Sequence, residues 1–287
     1  MPGQSDSVGL APCSAWRREA VNVLDSPISF ERGLFRARRI VKQSNLLLIS
    51  NLMTAIQAAT RSVLVHRGLL EEYILRNPAI IYALNPLDIK EDAPTVIRLA
   101  SDAASAVGVG PFAAVPGTLA DLAAEEMLIC GASVRVVENG GEVAAGSKVP
   151  LNVGVYAGPA QISARIGFRL ESNDFPIGVS TSSATVSHAI TFGEADAAVA
   201  VADTAALSDA AATAICNAVR GNDVEASVQA GLEAAEQIPL VRGALVARGR
   251  YVGSVGSLPR ILNLKGGAEE MFDASLCDLV AQDAVLL

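Results

Sequence analysis

The chain changes its hydrophobic period at Gly131, and that change narrows the folds open to it. Ahead of this point the segment 51–77 carries Met53, Ile56, Ala59, Val63 and Leu64 at helical spacing. Beyond it, Val134, Val136 and Glu138 fall on one face of an extended segment and Arg135 and Val137 on the other, with Asn139-Gly140-Gly141 supplying the reversal. A chain of this kind must pack helices against a sheet.

The remaining elements follow the same logic. The first helix ends at Asn77-Pro78, because a residue before proline resists the helical region. A second helix is expected over 93–106 and a third over 118–129, with Thr118 and Asp121 as start residues. Upstream, 34–41 and 46–49 read as a hairpin around Gln43-Ser44-Asn45. Strands are expected at 152–156, 163–170, 178–180, 197–202, 240–247 and 250–255, and helices at 208–218 and 223–236. The mixture predicts an α+β fold of mixed or antiparallel sheets with packed helices. Residues 1–28 are expected to form a poorly structured extension, and 29–287 a single α+β domain.

Composition removes several classes of function. Hydrophobic residues make up 51% and charged residues 18% of 287, which excludes a disordered chain. The net charge of −8 lacks the footprint of a nucleic-acid binder, although residues 1–42 carry a local +3. With His66 and His188 as the only histidines and four scattered cysteines without a C-x-x-C, neither a zinc nor an iron–sulfur framework is available. Isolated cysteines and a polar N-terminus without signal-peptide layout point to a cytoplasmic protein. The uncharged run 103–120 is broken by Gly108, Gly110, Pro111, Pro116 and Gly117, so it reads as a glycine-rich loop between helices and not as a membrane span. Apolar strand edges and the low charged fraction predict a homo-oligomer.

Four segments can carry chemistry. Asp209 and Thr213, four apart on a helix, present a carboxylate and a hydroxyl from one face, a pair suited to Mg²⁺. The same spacing also suits an ordinary helix start, with Ser208 as cap and Asp209 facing the dipole. Glu138-Asn139-Gly140-Gly141 is either a plain hairpin turn or a place where backbone amides approach a ligand. Gly117 precedes a helix start suited to phosphate, although neither G-x-G-x-x-G nor G-x-x-x-x-G-K-[ST] is present. Finally, Thr181, Ser182, Ser183, Thr185 and Ser187 lead to His188, which reads as a hydroxyl-lined pocket with a candidate base or as a polar turn.

Taken in order, Phe35-Arg36-Ala37-Arg38, Asn77-Pro78, the stretch 106–111, Gly117, 137–141, 181–188, 192–197 and 209–217 resemble an uncharacterised bacterial and archaeal family related to ApbE. ApbE proteins are FAD:protein FMN transferases that bind FAD and Mg²⁺. The resemblance implies an ApbE-like fold with a ligand cleft between two halves. It also implies a metal site at Asp209 and Thr213 with the carbonyl of Ala120, and catalytic roles for His188 and Asp209. Gly117, Glu138, Asn139, Gly140, Gly141, Thr181, Ser182, Ser183 and Thr185 would then lie near the flavin, with a redox protein as partner. A binding or maturation subunit without transfer chemistry, or an enzyme on a small polar metabolite, are the alternatives. After His188 the chain reads Ala189-Ile190-Thr191-Phe192-Gly193, without the Asp-Pro and Thr-Gly residues of the transferases.

Overall fold

A computed structural model describes residues 23–154, 166–184, 191–263 and 284–286. Among them, strands β1 (Val23–Asp25), β2 (Ser29–Glu31), β3 (Leu34–Val41), β4 (Ser44–Ser50), β5 (Val134–Asn139), β6 (Glu142–Ser147), β9 (Ile177–Ser182), β10 (Ala197–Ala202), β11 (Val241–Arg248) and β12 (Tyr251–Gly256) form one antiparallel sheet. Its order is β1-β3-β4-β5-β6-β9-β10-β11-β12, with β2 paired to β3. A smaller sheet has the order β13-β8-β7-β14, from β7 (Leu151–Gly154), β8 (Ile166–Leu170), β13 (Arg260–Asn263) and β14 (Ala284–Leu286). The α+β expectation holds.

Strand alternation divides the large sheet into two dissimilar faces. One face presents Ile49, Val136, Val143, Val179, Val199 and Leu245 to Leu151, Val153, Phe168 and Leu170 of the small sheet. The other face is made of small residues. There Ala37, Leu48, Val137 and Ala144 meet Ile56, Ala59 and Val63 of α1 (Met53–Arg76), and Ala120, Ala123 and Met127 of α3 (Val115–Ile129). Beyond them Ala198, Ala200 and Ala244 receive Ala211, Ala212 and Ile215 of α4 (Ala205–Ala218), and Val228 of α5 (Val224–Glu236). Alanine strands let the helices sit close, and α2 (Thr95–Val107) covers α3 and α4 through Val96, Ile97, Ala100 and Ala104.

Several boundaries differ from expectation, each for a local reason. The first hairpin turns at Lys42-Gln43, with Lys42 at φ +57°, so Ser44 and Asn45 belong to β4 and not to the turn. The run 103–120 is not a loop. Only Gly108 to Gly110 separate α2 from a 3₁₀ turn at Pro111–Ala114, and α3 follows at Val115, with Pro116 in its first turn where a missing N–H costs nothing. Thr118 and Asp121 are therefore inside α3. Thr181 and Ser182 extend β9, and α4 starts at Ala205 with Thr204 as its cap, displacing Ser208 from that role and Asp209 from the first turn. No single helix among the described residues is long and apolar enough to cross a membrane; α2 with 111–129 passes only as a pair bent by 102°.

Candidate functional site

The N-terminal ends of α3 and α4 meet where one glycine removes the obstacle. A Cβ on Gly117 would stand 2.3 Å from the carbonyl oxygen of Ala205. A Cβ on Gly178 of β9 would come within 2.1 Å of the Thr204 carbonyl. These two glycines let α4 begin in the angle between α3 and the sheet. Its first N–H groups are fully engaged: Asp121 accepts from Ala205 at 2.9 Å and from Ala206 at 2.8 Å, and Thr204 Oγ1 accepts from Leu207 at 3.3 Å. Asp121, expected to start its own helix, instead caps another, complementing the positive end of α4.

One turn further along α4, Asp209 is buried. Its Oδ2 accepts the N–H of Gly117 at 2.9 Å, leaving Oδ1 outside that bond. Burial pushes its carboxyl well above the usual range, and the nearby Asp121 charge adds to the rise against the lowering effect of the Gly117 N–H. Across the sheet, Glu142 of β6 is also buried, opposite Ser180 of β9. Its carboxyl is raised by burial first, then by Asp209 and by Glu138. None of the ion pairs among the described residues engages Asp209 or Glu142. Two carboxyl groups thus share a water-poor corner without a counter-charge, an arrangement that favours proton uptake or a cation.

Around this corner the polar groups are tightly accounted for. Ser180 and Ser208 hydroxyls lie 2.7 Å apart, and Ser208 donates to the Ala205 carbonyl at 3.1 Å. Asn139 donates from Nδ2 to the carbonyl of Pro116 at 2.9 Å, binding the β5–β6 hairpin to the start of α3. The hairpin turn is Gly140-Gly141, both at positive φ, where a side chain would be strained. Glu138 Oε1 accepts from Gly141 N–H at 2.9 Å, so the amide that a ligand would meet is already paired. Burial lifts the Glu138 carboxyl to about 7 against the lowering influence of Gly141, Arg38, Gly140 and Leu47.

The sequence candidates separate into three groups. Gly117 and Asp209 are joined by a direct hydrogen bond, and Asn139 joins them through the carbonyl of the adjacent Pro116. Ala120 lies fully buried in the second turn of α3, not at a helix start, and Thr213 is half-buried one turn beyond Asp209. Strand pleat separates the hydroxyl run: Ser180 and Ser182 share the helix-facing side of β9, whereas Thr181 points to the other side with a buried, unpartnered Oγ1. Ser183 is buried just past the strand. Thr185 and His188 lie outside the described residues. Glu142 closes the 137–142 segment that the sequence singles out but had no role of its own there; its burial beside Asp209 is the addition that the structure makes.

Among the described residues, no group of three or more His, Cys, Asp and Glu side chains is arranged to hold a metal. The donors fit Mg²⁺ in a more limited way: one Asp209 oxygen and the Glu142 carboxylate are hard ligands, and this ion commonly takes one or two carboxylates and leaves its other positions to water and phosphate.

The family model described as AbpE bacteria matches residues 31–238. The chain belongs to this family. The match takes in both ends of the carboxylate corner, from β3 through α5, and bears out the ApbE-related resemblance. A UPF0280 protein of Methanocaldococcus jannaschii is 39% identical over 232 residues, covering 79% of this chain and 93% of the relative. A UPF0280 protein of Methanopyrus kandleri is 38% identical over 237 residues, covering 82% and 95%. Among solved structures, the apo form of the Pseudomonas stutzeri flavinyl transferase ApbE is similar at 15% identity and a TM-score of 0.49, covering 81% of this chain and 95% of that one.

Proposed function

We propose that the protein binds FAD together with Mg²⁺ at the Asp209 corner and transfers FMN to a hydroxyl of a protein acceptor, in the manner of the ApbE transferases that it resembles. The observation that carries this reading is the buried, unneutralised pair Asp209 and Glu142, placed where α3 and α4 begin. A buried anionic pair is costly alone and becomes favourable around a cation.

Asp209 holds the cation through Oδ1 while Gly117 fixes Oδ2. Thr213, one turn on, contributes its hydroxyl. Ala120 contributes only the second lone pair of a carbonyl that already accepts within α3. Mg²⁺ supplies charge neutralisation for the pyrophosphate and for the departing AMP. The acceptor oxygen forms a bond to the FMN phosphorus as the pyrophosphate bond to AMP breaks, and His188 takes the hydroxyl proton. The glycine turn and Ser182, on the helix-facing side of β9, line the flavin pocket, with Ser183 and Thr185 continuing it past the strand. A redox protein is the natural acceptor, and the reaction is cytoplasmic.

The missing Asp-Pro and Thr-Gly residues after His188 favour a second reading, a flavin-binding maturation subunit without transfer chemistry. Incubation with FAD, Mg²⁺ and a peptide that carries serine and threonine hydroxyls separates the two. Equal amounts of AMP and FMN-peptide establish the transferase; bound FAD without AMP establishes the subunit; absence of FAD binding contradicts both.

A further inference from the structure

The β5–β6 hairpin has a second functional end. About four residues along β6 from Glu142, or about 13 Å at strand rise, Gly146 pairs with Arg135. A Cβ on Gly146 would lie 2.3 Å from the Arg135 guanidinium carbon, so the glycine gives the guanidinium its place. It opens on a cavity of about 330 Å³ lined also by Leu128, Ser133, Lys148, Phe175 and Pro176.

Three features make this a built site. First, among the described residues neither Arg135 nor Lys148 makes an ion pair, in a chain whose net charge is −8. The acids that flank the cavity wall at 172–176 are otherwise engaged: Asp174 accepts the N–H of Glu171, and Glu171 pairs with Arg169. Second, the wall at 174–176 is held in place, because Arg242 donates to the carbonyls of Asp174 at 2.6 Å and Pro176 at 2.8 Å. Third, the lining combines two cations and the serines Ser133, Ser147 and Ser172 with the apolar Leu128, Phe175 and Pro176. Burial lowers the Arg135 pKa without any acid to offset it, as expected of a cation awaiting an anion.

We propose that this cavity binds a small organic phosphate monoester, its phosphate on Arg135 and Lys148 and its apolar group against Phe175 and Leu128. The guanidinium fork matches a phosphate in bidentate fashion, and a site of this size admits one small ligand. The site is separate from the Asp209 corner.

Calorimetric titration of the full chain with phenyl phosphate tests it. Saturable binding is expected, weakened at least tenfold in Arg135→Gln and in Gly146→Ala, where the new methyl displaces the guanidinium. Lys148→Gln should weaken it less, and the exposed Arg61→Gln should leave it unchanged. Asp209→Asn should also retain it. Should Arg135→Gln fail to fold by circular dichroism, Lys148→Gln decides alone, with weakening supporting the site and unchanged affinity opposing it. Absence of saturable binding to the wild type, unchanged affinity in folded Arg135→Gln, or equal affinity for inorganic phosphate would overturn the assignment.

Discussion

Gly117 donates its backbone N–H to Oδ2 of Asp209 at 2.9 Å, joining the first turn of α3 to the second turn of α4 across 92 residues of sequence. This single bond fixes which Asp209 oxygen remains for a ligand. It also depends on Gly117 having no side chain, since a Cβ there would collide with the Ala205 carbonyl.

Gly117→Ala therefore separates α3 from α4. The methyl has a backbone oxygen as its obstacle and no flexible side chain that can yield. Overpacking of this kind costs about 1–3 kcal/mol, read as a lower urea midpoint at constant slope. The same variant should lose metal-dependent ligand binding.

Asp121→Ala should destabilise the fold and, by removing a neighbouring negative charge, lessen the rise of the Asp209 carboxyl. It strips the acceptor from the Ala205 and Ala206 N–H groups at the start of α4, a loss of about 1–2 kcal/mol in thermal or urea unfolding. Asp121→Asn, which keeps one good acceptor, should recover part of it.

The metal-free protein should lose stability as pH rises. Glu138 releases its proton at about 7 in the fold, against 4.5 ordinarily, and Asp121 at about 6 against 3.8. Between those values the native state binds more protons than the unfolded chain, so unfolding free energy declines with increasing pH. The contribution is fully present below about pH 4 and lost above about pH 7, a fall of about 6 kcal/mol over the whole window. Urea midpoints at pH 5 and pH 8 measure it, and Mg²⁺ should raise the midpoint at pH 8 more than at pH 5.

Glu142→Gln tests the pairing with Asp209. Removing the Glu142 carboxyl, which burial and the neighbouring Asp209 both raise, should stabilise the metal-free protein at pH 8 by about 1 kcal/mol, since a buried charge without a partner is a net cost. Mg²⁺ affinity should fall in the same variant. A thermal shift titrated with Mg²⁺ reads both effects.

Local rules were enough for much of this architecture. The β10 strand Ala197–Ala202 and the Asp223-capped helix α5 stand where periodicity and capping place them. The errors arose where long-range contacts govern local form. Asp121 has the chemistry of a helix start, but the N–H groups it satisfies belong to a helix 84 residues away. Proline at 116 and glycine at 117 look like loop punctuation, yet the first fits a first turn and the second is required by the approach of Ala205. In the site, the Asp209 spacing was legible because helical geometry is periodic. Its partner Glu142 was not, because register across β6 and β9 decides which strand residue faces α4. Alternation also splits Thr181 from Ser182, a division visible only once β9 extends through both.

The most direct test of the account is calorimetric titration of FAD into the full-length protein with and without Mg²⁺, repeated on Asp209→Asn, whose side chain can still accept the Gly117 N–H. Saturable FAD binding that requires Mg²⁺ is expected, lost in the variant while its unfolding midpoint is retained. FAD binding of equal strength with and without Mg²⁺, or undiminished in Asp209→Asn, would contradict it.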